Sequence, residues 1–183
     1  MRKSIACGIA ALALAGTFGA GSARADEPIQ VSGTDIATQV ELHFIPIPGN
    51  PMHGLSLERS VGGRNGTGPF ASMQMITGIT TNEIDLNQGT GKVTGYVLGS
   101  NSEGTVLSRI NGKSSFIMDD KTKSPKGAVE GVWEIVDGTG RFVNMRGKGT
   151  YKAEFGGGNF TTVPWSGTIS GFERGHQHSD LSR

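Results

Sequence analysis

The chain has very little cysteine and no excess of charge of either sign. Its single cysteine, Cys7, lies near the N-terminus, so a chain trimmed there would have neither a disulfide nor a thiolate nucleophile. Lys and Arg total 17 against 16 for Asp and Glu, for a formal net charge of +1. The basic residues are dispersed among acidic ones and lack the concentrated positive field that phosphate backbones require. Nucleic acid is therefore not an expected partner.

A long hydrophobic run is also missing. Residues 1–25 place Arg2 and Lys3 before a short apolar run, which ends ahead of the small-residue site Ala23-Arg24-Ala25. This pattern is typical of a secretory signal peptide, and the run is too short to span a bilayer. We expect an exported protein, periplasmic or extracellular, without a membrane anchor. Residues 26–183 are then one domain, with a flexible C-terminal tail from about residue 175.

Helical periodicity is absent after residue 25, and short alternating segments take its place. The 30 glycines and only seven prolines favour many short strands joined by tight turns. Eight strands are the number that closes a small barrel, with an interior that is filled or holds one ligand. We predict strands at residues 34–46, 54–61, 69–82, 90–99, 104–118, 128–136, 141–155 and 161–173.

The clearest of these segments is residues 131–151. Two alternating apolar runs flank Asp137-Gly138, which indicates a β-hairpin. Glycines at 138 and 140 allow the positive φ of a turn, whereas Gly147 and Gly149 leave a strand locally without side chains, so that another group can approach it closely.

Part of this hairpin, Trp133 to Phe142 followed by Arg146-Gly147, resembles the glycine-rich hairpin of the allene oxide cyclase and dirigent families. The resemblance is strongest over residues 129–155. It implies an all-β fold, an eight-stranded antiparallel barrel of the calycin type, often trimeric, that holds a small apolar or phenolic molecule. It also implies a homo-oligomer, a trimer by analogy, and no cofactor. The catalytic carboxylates and tyrosines of those families do not map onto this chain.

Cofactor-free proton transfer would need an apolar cavity, an acid–base group and a cation that stabilises developing negative charge. Glu41 and His43 are same-facing neighbours on the first strand, and they are an acid–base pair, metal ligands or an exposed rim. Tyr96 lies mid-strand, pointing into the barrel or packing in the core or an interface. Together with Arg146 as the cation, these residues are the candidate catalytic set.

The candidate ligand-binding residues are Met73, Met75 and Trp133. Methionines suit an adaptable pocket lining, although filling gaps in a core is their commoner use. Trp133 shares a face with Val129 and Ile135, which favours the core, with stacking on an aromatic ligand as the alternative. Metal ligation is ranked below these roles, so the expected metal and cofactor content is none.

Three functions remain open from sequence. The leading hypothesis is a cofactor-independent cyclase, isomerase or lyase acting on a small apolar or phenolic compound. The alternatives are a non-catalytic carrier and an oligomeric structural protein whose barrel is plugged by side chains. The contents of the lumen discriminate among them: a cavity with a titratable group and a nearby arginine favours catalysis, a cavity without one favours carriage, and a filled lumen favours structure.

Overall fold

The computed structural model describes residues 27–121, 125–156 and 160–172. Eight strands, each antiparallel to its neighbours, form a closed barrel in chain order, with β1 paired to β8. The predicted eight-stranded antiparallel barrel is therefore confirmed. The proposed signal peptide and the tail from about residue 175 lie outside the described residues. The strands are β1 (Ile29–Ile47), β2 (Asn50–Gly66), β3 (Met75–Asp85), β4 (Thr90–Asn101), β5 (Gly104–Met118), β6 (Pro125–Gly138), β7 (Arg146–Phe155) and β8 (Phe160–Ser170).

Strand boundaries differ from the sequence-based ones at several places. β1 begins five residues earlier than predicted and β2 ends five residues later, at Gly66, and two predicted strand starts are 3-10 turns. A 3-10 turn, Gly68–Ser72, replaces the predicted start of β3, because Pro69 lacks the N–H that a strand ladder needs. A second 3-10 turn, Gly140–Phe142, replaces the predicted start of β7, and it begins at a glycine whose φ is 60°. The hairpin of residues 131–151 thus exists, with a longer connection than an Asp-Gly turn.

Both 3-10 turns close the same end of the barrel. Phe70 of the first turn and Phe142 of the second are 2 % and 0 % exposed, and both belong to the hydrophobic core. We name this the closed end. Its core consists of Val31, Phe70, Met73, Val106, Trp133, Ile135, Phe142, Met145, Tyr151, Trp165 and Ile169.

Trp133 lies across glycines of the two strands that follow its own. It pairs with Gly149 on β7, which pairs with Gly167 on β8. A methyl group added at Gly149 would lie 2.7 Å from Cε2 of Trp133, and one at Gly167 would lie 2.5 Å from Cζ2. These glycines are what allows a tryptophan to lie along the inner wall.

The same arrangement occurs twice more around the barrel. Trp165 extends over Gly33 and Gly66, where added methyl groups would lie 2.3 Å and 3.1 Å from its Cζ2. The Tyr151 hydroxyl reaches Gly112, two strands away, where a methyl group would lie 2.5 Å from it. Three large rings therefore lie against the wall near the closed end.

The opposite end, which we name the open end, carries the β1–β2 hairpin. Residues 41–50 are all exposed, and the β1–β8 ladder stops at Thr38, opposite Phe160. The hairpin therefore extends beyond the part of the barrel that β8 completes. No helix in the described part of the chain is long and apolar enough to cross a membrane.

Candidate functional site: the barrel lumen

The lumen contains a cavity of about 1120 Å³ to which all eight strands contribute. Ligand sites commonly measure about 300–1,000 Å³, so this volume accommodates a small organic molecule. The inward positions mix apolar side chains such as Ile76, Val93 and Val97 with a small set of polar ones. The polar lining residues are Asp35, Thr38, Gln39, Ser56, Glu58, Ser60, Arg64, Thr80, Asn82, Ser108, Ser114, Lys126, Tyr151 and Thr161.

A buried ion pair lies towards the closed end of this cavity. Asp35 on β1 and Arg64 on β2 are register partners. Arg64 Nε and Nη2 donate to Asp35 Oδ1 and Oδ2, each at 2.7 Å, and Trp165 Nε1 donates to Oδ1 at 2.9 Å. The side chains of the pair are only 8–9 % exposed. The two hydrogen bonds from Arg64, together with the one from Trp165, compensate for the desolvation of two buried charges.

Aromatic rings form the floor beneath the ion pair. The Phe70 and Trp165 ring centroids are 5.2 Å apart, and those of Trp133 and Trp165 are 6.1 Å apart, both edge-on. The Arg64 guanidinium carbon lies 5.3 Å from the Phe70 centroid and 5.0 Å from that of Trp165. Cation–π attraction therefore adds to the salt bridge in holding Arg64 in place.

Glu58 is the second carboxyl group on the cavity wall. It precedes Arg64 on β2 by six residues, about 20 Å along a strand at about 3.3 Å per residue. Its register partners are Leu42 on β1 and Thr80 on β3, neither of them charged. Burial raises the pKa of Glu58, and a hydrogen bond from Gln39 opposes part of that effect. Such a carboxyl group is a candidate proton donor or acceptor.

Two hydrogen-bond donors of the lumen wall have no partner in the described part of the chain. They are Nε1 of Trp133 and the hydroxyl of Tyr151, both on side chains that line the cavity. Burial raises the pKa of Tyr151 to about 12, so the phenol stays protonated at neutral pH. An unpaired buried donor costs about 1–3 kcal/mol, which a hydrogen-bond acceptor beside it would recover.

Glu41 and His43, the predicted acid–base pair, do come together, but on the outer surface. His43 Nε2 lies 2.9 Å from Glu41 Oε1, and Arg59 Nε donates to Glu41 Oε2 at 3.1 Å. Side-chain hydrogen bonds from His43, then Arg59, hold the pKa of Glu41 below its usual value. The His43 and Glu41 side chains are 60 % and 48 % exposed. Any chemistry they perform would take place outside the lumen, and their catalytic role stays a prediction.

Tyr96 and Arg146 also lie outside the cavity. Of the alternatives for Tyr96, a side chain that points into the barrel or packs in the core is contradicted, because Tyr96 is 49 % exposed and its neighbour Val97 lines the cavity instead. The pleat directs only one of two consecutive residues inwards. Arg146 is exposed and donates from Nη1 to the Met145 carbonyl at 2.8 Å. It therefore supplies no cation to the lumen.

The three predicted ligand-binding residues separate into different environments. Trp133 lines the cavity and is 7 % exposed, whereas Met75 faces outwards at 67 % exposure, contrary to the expected pocket role. Met73 is fully buried in the closed-end core, its commoner role. Ligand binding by Trp133 therefore remains a proposal that the geometry supports.

Sequence reasoning missed Asp35 and Arg64 altogether. Arg64 lies in the glycine-rich segment 62–68, between the predicted strands 54–61 and 69–82, whereas β2 continues to Gly66. A signal for Asp35 existed: it shares its face of β1 with Val31, Gly33 and Ala37, and a charged residue at an inward position needs a partner. Glu58 faces the cavity while the next residue, Arg59, points outwards, as the alternation of a strand requires.

The described residues contain no group of three or more His, Cys, Asp or Glu side chains that could hold a metal ion. Besides His43, His53 also lies near a carboxylate: its Nε2 is 3.6 Å from Glu83 Oε1. The tail histidines, His176 and His178, lie outside the described residues. The site is thus built from an ion pair, an isolated carboxyl group, hydroxyls, amides and aromatic rings.

Fold and site define a class: a closed antiparallel β-barrel that encloses a cavity lined by both apolar and polar side chains. No family model and no curated protein matches the chain. Among solved structures it is similar to the pterocarpan synthase dirigent protein PsPTS1, with a TM-score of 0.48 and 14 % identity over 82 % of this chain and 99 % of that chain. It is also similar to the pterocarpan synthase dirigent protein GePTS1, with a TM-score of 0.46 and 11 % identity over 94 % and 98 % of the two chains. Both structures are dirigent proteins, one of the two families that the sequence of residues 129–155 resembles.

Proposed function

We propose that this chain encloses a small, largely apolar or phenolic molecule in its lumen and moves a proton on it, as a cofactor-independent isomerase, cyclase or lyase. The observation that carries the proposal is the cavity of about 1120 Å³, because a barrel plugged by its own side chains would not retain that space. The unpaired donors of Trp133 and Tyr151 on its wall support a ligand that carries a hydrogen-bond acceptor.

Occupancy of the lumen can be tested with the chain's own fluorescence. The sequence contains two tryptophans, Trp133 and Trp165, and both line the cavity. A titration with decan-1-ol should therefore shift tryptophan emission saturably. Thr80→Phe places a ring inside the cavity and should weaken the response, whereas Thr81→Phe places the same ring on the exposed outer face and should preserve it. Equal responses from both variants would overturn binding in the lumen.

Glu58 is the proposed acid–base group of the reaction. Its burial raises its pKa towards the range in which a carboxyl group exchanges protons efficiently near neutral pH. It lies on the lumen side of β2, whereas Arg59, the next residue, points outwards to Glu41. A ligand seated between Glu58 and the aromatic floor would contact both ends of the cavity.

A suitable probe of this chemistry is 5-nitrobenzisoxazole, an uncharged aromatic compound that requires only a base. The base takes the ring C–H proton while the N–O bond breaks, which opens the ring to a single coloured product, a phenolate that carries a nitrile group. A positioned general base contributes about 10²–10⁴-fold to such a rate. We expect Glu58→Gln to lose that acceleration and Glu134→Gln, on the exposed outer wall, to retain it.

A carrier without catalytic activity is the second candidate, and one observation favours it. Asp35 already occupies two donors of Arg64, so this cation is not free to stabilise negative charge that develops on a substrate. If Glu58→Gln and the unaltered chain convert the probe at the same rate while both bind decan-1-ol, the chain is a carrier and Glu58 is not a catalytic base.

We further propose export through the signal peptide of residues 1–25 and assembly into a homo-oligomer, taken as a trimer from the family resemblance. Ile79 and Tyr96 pair across β3 and β4 on the outer face, 52 % and 49 % exposed, and oligomerisation would cover them. Sedimentation velocity should show a trimer that Ile79→Glu dissociates and Lys148→Glu does not. If the unaltered chain is a monomer, the proposed assembly is contradicted. If the exported protein begins at a residue other than Asp26, the proposed cleavage site is contradicted.

A further inference from the structure

We infer that the lumen discriminates by charge: it accepts uncharged, hydroxyl-bearing ligands and rejects anionic ones. The inference rests on the proposed function, since it concerns the same cavity. It goes further because it states which class of apolar molecule the cavity takes, an alcohol or phenol rather than a carboxylate, sulfate or phosphate.

The first observation is that the described cations lining the cavity are each paired with a carboxylate of this chain. Arg64 makes two hydrogen bonds of 2.7 Å to Asp35, and aromatic rings lie against it. Lys126, near the open end, has its Nζ 2.5 Å from Asp119 Oδ2. An anion entering the lumen would have to compete with these carboxylates for a counter-charge.

The second observation is that one carboxyl group of the cavity, that of Glu58, has no such counter-charge among the described residues. Glu58 faces Leu42 and Thr80 across its two ladders. The adjacent Arg59 donates to Glu41 outside the barrel. An anionic ligand would therefore meet a like charge when Glu58 is ionised, and no compensating cation when it is neutral.

The third observation is that neutral hydrogen-bonding groups surround Glu58. Ser60 and Thr80 line the cavity beside it, and Asn82 Nδ2 donates to Ser56 Oγ at 3.1 Å on the same wall. A ligand hydroxyl can donate to the Glu58 carboxylate and accept from these groups. Because a hydroxyl keeps its hydrogen bonds on entering the cavity, its desolvation is compensated, whereas that of an anion is not.

The test compares two ligands with the same alkyl chain, decan-1-ol and decane-1-sulfonate. The sulfonate stays charged throughout, and about pH 8.5 is chosen because it lies about four units above the ordinary glutamate pKa, which favours the ionised carboxylate. Affinities are read from tryptophan emission of the full chain. We expect the alcohol to bind at least about tenfold more tightly, the effect of a like charge within about 10 Å at intermediate dielectric.

Glu58→Gln separates the effect of this carboxylate from the general cost of desolvating a sulfonate. We expect this variant to narrow the gap between the two ligands, and the matched outer-wall variant Glu134→Gln to leave it unchanged. Circular dichroism establishes that both variants are folded. If Glu58→Gln does not fold, the affinities of the unaltered chain still test the inference, because equal affinities for the two ligands would contradict the charge selectivity.

The outcomes distinguish this inference from the proposed function. If both ligands bind equally tightly to the unaltered chain, or if Glu58→Gln leaves the gap unchanged, charge selectivity by Glu58 is overturned and binding in the lumen stands. If neither ligand changes tryptophan emission, the proposed function fails, and the selectivity fails with it.

Discussion

Removing the carboxylate of Asp35 is the sharpest test of how the lumen is built. Asp35→Ala deletes two hydrogen bonds of 2.7 Å from Arg64 and one of 2.9 Å from Trp165. It leaves a guanidinium whose side chain is only 9 % exposed without its partner. Breaking a buried ion pair from one side costs about 3–5 kcal/mol, because the remaining charge is desolvated and unpaired.

The barrel also contains a matched control for burial. Arg109 Nη2 and Glu134 Oε2 are likewise 2.7 Å apart, but their side chains are 50 % and 57 % exposed. An exposed pair contributes less than about 1 kcal/mol, since water and salt screen it. Glu134→Ala should therefore cost far less than Asp35→Ala, although the two ion pairs have the same closest distance.

The assay is urea unfolding followed by far-UV circular dichroism, which does not depend on the environment of Trp165. We expect Asp35→Ala to lower the free energy of unfolding by about 3–5 kcal/mol, and the melting temperature by about 6–20 °C at about 2–4 °C per kcal/mol. If the two variants lose equal stability, the Asp35–Arg64 pair is not desolvated as described, and the reasoning about Arg64 in the lumen is refuted.

Three further predictions concern Glu58, the glycines of the wall and metal. Because burial raises the pKa of Glu58, the folded chain retains this proton to higher pH than the unfolded chain, so the free energy of unfolding falls as pH rises from the usual glutamate pKa through the raised one. Glu58→Gln should remove this fall from a plot of the urea midpoint against pH. Identical plots for the variant and the unaltered chain would contradict the prediction. Gly112→Ala places a methyl group 2.5 Å from the Tyr151 hydroxyl and 2.7 Å from the Glu130 carbonyl oxygen, and should cost about 1–3 kcal/mol. Tyr151→Phe should recover part of that loss in a double-mutant cycle, whereas additive losses would show that the ring lies elsewhere. EDTA should leave the melting temperature unchanged, since the described residues contain no cluster that could hold a metal; a fall would restore the histidine metal hypothesis.

The barrel itself could be predicted because its strands and turns are encoded locally. Alternation and turn residues indicated eight strands, and each has a counterpart in the structure. Two of the errors in strand boundaries fall where a 3-10 turn closes the barrel. Gly68 and Gly140 begin these turns, and the apolar residues that follow within them, Phe70 and Phe142, pack into the core. Apolar residues after a turn are equally suited to a strand or a plug, so the local pattern could not separate them.

Which face of each strand points inwards could not be predicted. Around Tyr96, the apolar Leu98 shares its outer face while Val93 and Val97 occupy the inner one. Both faces of this strand are thus apolar enough to be buried, and composition does not choose between them. The choice depends on how the whole ring of strands closes, which one strand does not specify.

The polar site depends on long-range register and was largely invisible in the sequence. Asp35 and Arg64 are 29 positions apart, and they become partners only because β2 continues through a glycine-rich segment. Glycine in that segment suggested a loop, whereas Gly66 lies in the strand beneath Trp165. A glycine that accommodates a ring from another strand has the same local pattern as a glycine in a turn.

The central claim, that the lumen holds a small molecule, is tested most directly by a crystal structure of the protein grown with decan-1-ol. We predict ligand density in the cavity between Glu58 and the aromatic floor of Phe70, Trp133 and Trp165. A lumen without ligand density at saturating alcohol, or alcohol bound solely on the outer face of the barrel, would contradict the account.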